Sequence, residues 1–177
     1  MPNYRRAFVP GGCWFFTVNL LERRGCLLVD HIASLREAVA ATRRTHDFEI
    51  DAFAVLPDHL HAVWTLPPGD SDFSTRWRLI KTRFAKTLPK QERRSASRVA
   101  RNERGIWQRR FWEHLIRDET DYARHVEYCW INPLKHDLVT RVRDWPHSLF
   151  HRDVRAGVVP LDWGGEINVS GNFGERR

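Results

Sequence analysis

Cysteine is scarce in this 177-residue chain: there are three, Cys13, Cys26 and Cys129, and none forms a Cys-x-x-Cys pair. That argues against a disulfide scaffold or a cysteine-rich zinc module. No apolar run approaches the ~18 residues that a membrane span needs. The first nine residues carry no apolar stretch of the kind a secretion signal has. The chain is therefore expected to work in the cytoplasm with reduced thiols. Acidic residues are the minority charge, 22 against 29 Lys and Arg. Aromatics are abundant, with eight Trp and ten Phe, which separates the chain from disordered sequences. Its length suits one domain that can bury a core without staples.

The net charge of +7 is unevenly spread. Between residues 76 and 110 there are 13 basic and 2 acidic residues, so the remainder of the chain is net acidic. A basic block of this density suits a polyanion, most often nucleic acid. Trp77, Phe84, Trp107, Phe111 and Trp112 lie in or beside it. Arginine mixed with aromatics suits single strands, whose exposed bases can stack.

Residues 13–20 are aromatic and β-branched and predict a buried strand. Residues 31–46 have apolar positions at helical spacing, with Asp30 as the expected N-cap. Residues 48–56 and 59–66 read as two strands joined through Pro57-Asp58, a hairpin. Residues 74–88 predict an amphipathic helix. Trp77, Ile80, Phe84 and Leu88 form its apolar face, and Arg76, Lys81, Arg83 and Lys86 its basic face. A polar connector follows over 89–105, then a strand region within 106–116. Residues 118–132 predict a helix capped by Asp118 and stopped by Pro133. From Val139 onward the chain reads mostly as loop. This order implies an α+β fold of ferredoxin-like style, with helices packed on one face of an antiparallel sheet.

His59 and His61 stand two apart on a predicted strand, so their side chains share a face and could bind one divalent metal. Two surface or hydrogen-bonded histidines fit the same spacing. On the following helix, Asp121, His125, Tyr128 and Asn132 form a polar stripe. The core side of that helix is expected at Leu115, Tyr122, Val126 and Trp130. Tyr128 is either a half-buried packing residue or a reactive group. A phenol is a poor nucleophile at neutral pH. A metal polarising a phosphoryl oxygen would make that phosphorus attackable. Asn132 offers a carbonyl oxygen suited to Mg²⁺ or Mn²⁺. Attack by Tyr128 would leave a 5′-phosphotyrosine and a free 3′-hydroxyl, and would conserve the energy needed for rejoining.

Several stretches together resemble one family. Asn3-Tyr4-Arg5-Arg6, then Val9-Pro10-Gly11-Gly12 and a Phe-Phe-Thr strand, resemble the opening of REP-associated tyrosine transposases. Leu56-Pro57-Asp58-His59-Leu60-His61 resembles the His-hydrophobe-His (HUH) signature of single-tyrosine transposases. Phe73-Ser74-Thr75-Arg76-Trp77 and the run from Ile106 to His114 are similar to the family's middle section. His125-Val126-Glu127-Tyr128 and Asn132-Pro133-Leu134-Lys135-His136 resemble the helix bearing its nucleophile. Trp145-Pro146-His147-Ser148 and Pro160-Leu161-Asp162-Trp163 resemble its C-terminal segment. Asp137 stands where the family pattern has Gly.

The resemblance implies a ferredoxin-like HUH domain over residues 1–138. It also implies a loop-rich extension over 139–177 that packs on or near the active site. Metal-dependent cutting and joining of single-stranded DNA at REP or BIME palindromes is implied, by a monomer or a homodimer. Tyr128 would be the nucleophile, and His59, His61 and Asn132 the ligands of Mg²⁺ or Mn²⁺. Arg5, Arg6, Arg76, Lys81, Arg109, Arg110 and Lys135 would contact DNA. A hairpin-binding regulator that does not cut is the competing reading.

Overall fold

The computed structural model describes residues 8–90, 92–164 and 173–175. Four strands form one antiparallel sheet: β1 (Cys13–Asn19), β2 (Glu49–Val55), β3 (His59–Thr65) and β4 (Trp112–Leu115). Their spatial order is β2-β3-β1-β4, so β1 and β3 are central. The β2–β3 hairpin turns at residues 56–58, as the Pro57-Asp58 pair predicts. The other main elements are α1 (Leu27–Asp30), α2 (Ile32–Arg43), α3 (Phe73–Thr87), α4 (Ala96–Ala100), α5 (Glu119–Lys135) and α6 (Phe150–Arg155). No helix among the described residues is long and apolar enough to cross a membrane.

The α+β antiparallel architecture stands, but its helices cover both faces of the sheet and not one. On the first face, Trp14, Phe16 and Val18 of β1 and Leu60, Ala62 and Trp64 of β3 pack against Leu35 and Ala38 of α2. Phe73, Trp77, Ile80 and Phe84 of α3 complete that core. On the second face, Phe15 and Val63 pack against Val126, Tyr128, Cys129 and Ile131 of α5. The physical reason lies in the strands. β1 and β3 are buried along nearly their whole length, so apolar side chains project to both sides and each side needs a cover. Trp77 stacks on Trp64, with centroids 4.1 Å apart, and belongs to the core, as does the buried Trp107.

Asp30 lies inside α1, and His31 occupies the N-cap of α2. Residues 139–164 carry a 3-10 turn (Val142–Asp144) and α6, more structure than the loop expected there. They run along the free edge of β2. Val55 N–H donates to His147 O (2.9 Å) and Leu149 N–H to Phe53 O (2.9 Å). Phe150 and Trp163 meet Trp130 of α5, with centroids 5.8 and 5.3 Å away.

α5 starts as its sequence predicts: the Asp118 carboxylate accepts from Asp121 N–H at 2.8 Å. It does not stop at Pro133, which is contained in its last turn. The stop is a Schellman motif instead. Leu138 N–H donates to Pro133 O and Asp137 N–H to Leu134 O, both at 3.0 Å. Asp137 takes φ +55°, the left-handed conformation that a glycine adopts without strain.

Candidate active site

The Pro57-Asp58 turn delivers the chain directly into β3, whose first residue is His59. His59 and His61 share the α5-facing side of the sheet, with ring centroids 5.0 Å apart, and both are buried. Each ring is held from behind at Nδ1. Asp58 Oδ1 lies 2.6 Å from His59 Nδ1, and Arg23 Nε donates to Asp58 Oδ2 at 2.5 Å. Thr17, the direct cross-strand partner of His61, places Oγ1 2.8 Å from His61 Nδ1. The two Nε2 atoms are thereby turned toward α5.

Across from them stands the polar stripe of α5. Asp121, His125, Tyr128 and Asn132 are all buried against the sheet, and Tyr122, expected in the core, is 36% exposed. The expected polarity of this helix is thus reversed in part. The sheet beneath carries its own polar groups, Thr17, His59 and His61, so a polar stripe finds partners there. Tyr128 lies 5.2 Å from His61, ring to ring, and Lys135 Nζ donates to its Oη at 2.9 Å. At the stripe's start, Asp121 accepts from His114 Nε2 at 2.8 Å and so ties α5 to β4.

The centre of the site is filled from the far end of the chain. Glu175 Oε1 lies 2.9 Å from His61 Nε2 and 3.3 Å from His136 Nε2, and accepts from Asn132 Nδ2 at 2.6 Å. His59 Nε2 is 3.7 Å away, beyond hydrogen-bond range. Glu175 Oε2 accepts from Lys135 Nζ at 2.9 Å. Phe173 lies flat on the Tyr128 ring, centroids 3.6 Å apart, and its carbonyl accepts from the Thr17 hydroxyl at 2.5 Å. Gly174 bridges these two with φ +74°, and a Cβ there would sit 2.3 Å from Trp112 Cγ. No motif singles out Phe173 or Glu175 themselves, which are separated from the rest of the site by some forty residues. Asp58 and Thr17 could have been found from their places, one preceding the histidine pair and one facing it across the sheet.

The electrostatics follow from burial and from these contacts. Burial opposes the charge of Glu175, but His136, His59 and His61 overcome it and hold the carboxyl far below its usual range. Burial, then the Glu175 carboxylate, pushes the Tyr128 phenol well above its ordinary value. Burial lowers His61 to about 4. Burial also works against charge on His59, but the Asp58 carboxylate wins and raises it. Asp58 itself is lowered to about 2, burial notwithstanding, by His59 and Arg23.

Among the buried side-chain atoms without a hydrogen-bond partner, two belong to the proposed ligands, His59 Nε2 and Asn132 Oδ1. Each can offer a lone pair, and acceptors left orphaned in a buried site fit a cation. Ligand atoms of His59, His136 and Glu175 also lie within 4.8 Å of one another. These residues could hold a divalent metal.

The expected DNA contacts divide. Arg5 and Arg6 lie outside the described residues. Arg76 is 2% exposed and faces inward: its guanidinium donates to Asp47 O, Asp72 O and Asp70 Oδ2. Lys81 is half-buried and donates to Gln108 O at 3.0 Å, with Phe111 at 5.1 Å. Both corrections have one cause. Other segments of the chain, at Asp47, Asp70, Asp72 and Gln108, lie against α3 and present carbonyls and a carboxylate to what looked like a solvated face. Arg109 and Arg110 are exposed, Arg109 pairing with Glu103 at 2.8 Å. Lys135 stands in the site itself.

No family model matches the sequence. The chain is 49% identical over 167 residues to the REP-associated tyrosine transposase of Escherichia coli K12, covering 94% of this chain and 93% of the relative. It is 46% identical over 176 residues to a candidate REP-associated tyrosine transposase of Haemophilus influenzae Rd, covering 98% and 100%. Its fold superposes on a solved REP-associated tyrosine transposase bound to a REP hairpin, with TM-score 0.87 and 48% identity over 100% of this chain and 99% of that one. At that identity and coverage, the chain belongs to the REP-associated tyrosine transposases and is an enzyme of that kind.

Proposed function

We propose that this protein cuts and rejoins single-stranded DNA at REP-type hairpins through a covalent bond to Tyr128. The observation that carries the proposal is the convergence of His59, His61, Tyr128 and Asn132 in one buried site between β3 and α5. The solved relative bound to a REP hairpin supports the choice of DNA.

Tyr128 Oη loses its phenolic proton as it attacks the scissile phosphorus, the bond to O3′ breaks, and the departing O3′ takes up a proton, so protons balance over the step. The products are a 5′-phosphotyrosine and a free 3′-hydroxyl, and reversal joins a new 3′ end without an external energy source. His59, His61 and Asn132 are the proposed ligands of Mg²⁺ or Mn²⁺. When bound, the ion supplies Lewis-acid polarisation of the phosphoryl oxygens. Lys135 steadies the phenolic oxygen through its hydrogen bond and stays beside the negative charge that develops. Exposed Arg109 and Arg110, with Lys90, Arg93, Arg94 and Arg101 of the connector, form the phosphate-contacting surface. In the proposed reaction Tyr128 and the histidines act from the same chain, in a monomer or in each subunit of a homodimer.

Tyr128 is completely buried, and Phe173 and Glu175 cover the space that a phosphodiester would take. The tail has to withdraw before DNA reaches Oη. The test mixes the protein with labelled single-stranded REP hairpins and Mn²⁺ or Mg²⁺, and resolves products on a denaturing gel. A covalent adduct that needs metal and disappears in Tyr128→Phe is expected. Hairpin binding with no adduct under either metal would favour a non-cleaving regulator.

A further inference from the structure

We propose that Asp58, braced by Arg23, is a positioning residue that makes His59 the stronger and more constant of the two histidine ligands. This rests on the metal-site reading above.

The Asp58 backbone is pinned first: its carbonyl accepts from Leu20 N–H at 2.9 Å, where β1 ends. Its carboxylate then points to side chains. Oδ2 accepts from Arg23 Nε at 2.5 Å, and Oδ1 lies 2.6 Å from His59 Nδ1. Among the described residues it makes no hydrogen bond to the turn's own N–H groups, as a carboxylate that merely stabilised the turn would. An ionised carboxylate can only accept. The proton of that bond therefore sits on His59 Nδ1, so the uncharged ring carries its lone pair on Nε2. Nε2 is the atom found buried and unpartnered. Carboxylate backing of this kind fixes ring orientation and raises ligand basicity. Arg23 adds a second effect: it balances the charge of Asp58, so the brace places no net negative charge beside an incoming phosphodiester.

His61 is backed differently. Thr17 Oγ1 is neutral, and a hydroxyl can donate or accept. That hydroxyl also donates to Phe173 O at 2.5 Å. The support of His61 is thus shared with the tail and changes when the tail leaves, while the support of His59 comes from the β1–β3 end of the sheet and does not.

The test is Mn²⁺ affinity of the full chain, read from the free-ion electron paramagnetic resonance signal, for wild type, Asp58→Asn, Thr17→Val and His59→Ala. Asp58→Asn keeps the shape and removes the charge. It is expected to weaken Mn²⁺ binding roughly 10–100-fold, with metal-free hairpin affinity unchanged and a smaller loss for Thr17→Val. Wild-type affinity in a folded Asp58→Asn overturns the proposal alone. A wild-type protein that binds no Mn²⁺, or a His59→Ala variant that binds it undiminished, overturns this proposal and the metal-site reading together. Should Asp58→Asn not fold, histidine ¹⁵N NMR of the wild type decides. A neutral His59 protonated at Nδ1 is the expected result, and one protonated at Nε2 overturns the proposal.

Discussion

Arg76 shows how far a single charged residue can depart from its sequence appearance. Its neighbours place it on a basic helix face, yet the guanidinium is buried among two backbone carbonyls and the Asp70 carboxylate. Removing it leaves those acceptors without a donor. Because Asp70 keeps about a third of its exposure, water can recover part of the loss. Arg76→Met is therefore expected to cost about 2–3 kcal/mol in urea unfolding, while hairpin affinity of the folded variant stays within a factor of two. A large loss of affinity at unchanged stability would return Arg76 to the DNA surface. His59 and His61 were legible for the opposite reason. A period of two fixes their common face whatever the tertiary surroundings, whereas a helical arginine faces solvent only if nothing folds over it. Glu175 was illegible because no local pattern links a residue near the C-terminus to a site built by β3 and α5.

Among the elements, α5 does most to place the chemistry, and both of its ends are defined by caps. The start was readable from Asp118. The end was not, since Pro133 looks like a stop but fits within the last turn, and the chain reverses only at Asp137. An L-residue in the left-handed region carries a backbone penalty that glycine avoids. Asp137→Gly is accordingly expected to stabilise the protein by about 0.5–1 kcal/mol in thermal unfolding. A loss of stability would mean that the Asp137 side chain contributes more than its backbone costs. The strands were readable as strands, but the two-sided cover of the sheet was missed. Its signal lay in β1, where Trp14 and Phe16 alternate with an equally apolar Phe15, and such a strand needs a helix on each side.

At the scale of the whole molecule, a segment near the chain's end covers its centre. Gly174 passes so close to Trp112 that any side chain there clashes. Gly174→Ala leaves every proposed catalytic group in place and unseats Phe173 and Glu175. Adduct formation is expected to rise several-fold, as it would on removing residues 165–177, and an unchanged rate would show that the tail does not limit access. Acid should destabilise the fold as a unit. Burial holds His125 and His147 below their ordinary values, so the unfolded chain takes up protons first as pH falls through about 6.5. His59, which is raised, works the other way, and His61, lowered to about 4, offsets it. Below about pH 4 a second loss begins. Asp70 beside Arg76, and Asp72 at the start of α3, sit below their ordinary values, and so does Asp121, burial notwithstanding, through His114. The stability that these carboxylates contribute is complete above that pH and is lost as each is protonated. A urea midpoint that falls steadily from pH 7 to pH 3 is the expected profile, and a rise between 7 and 5 would contradict it.

The central position of β3 has a dynamic consequence. Its backbone is hydrogen-bonded on both sides, to β1 and to β2. Amides along β3 are therefore expected to exchange with solvent deuterium only when the whole domain opens. The described tail residues 173–175 meet the site through the Phe173 ring, the Glu175 carboxylate and the Thr17 hydroxyl, outside any sheet ladder, and their amides should exchange through small local openings. The histidine pair thus sits in the last part of the molecule to come apart and its cover in one of the first, so the spacing of the two rings survives each excursion of the tail.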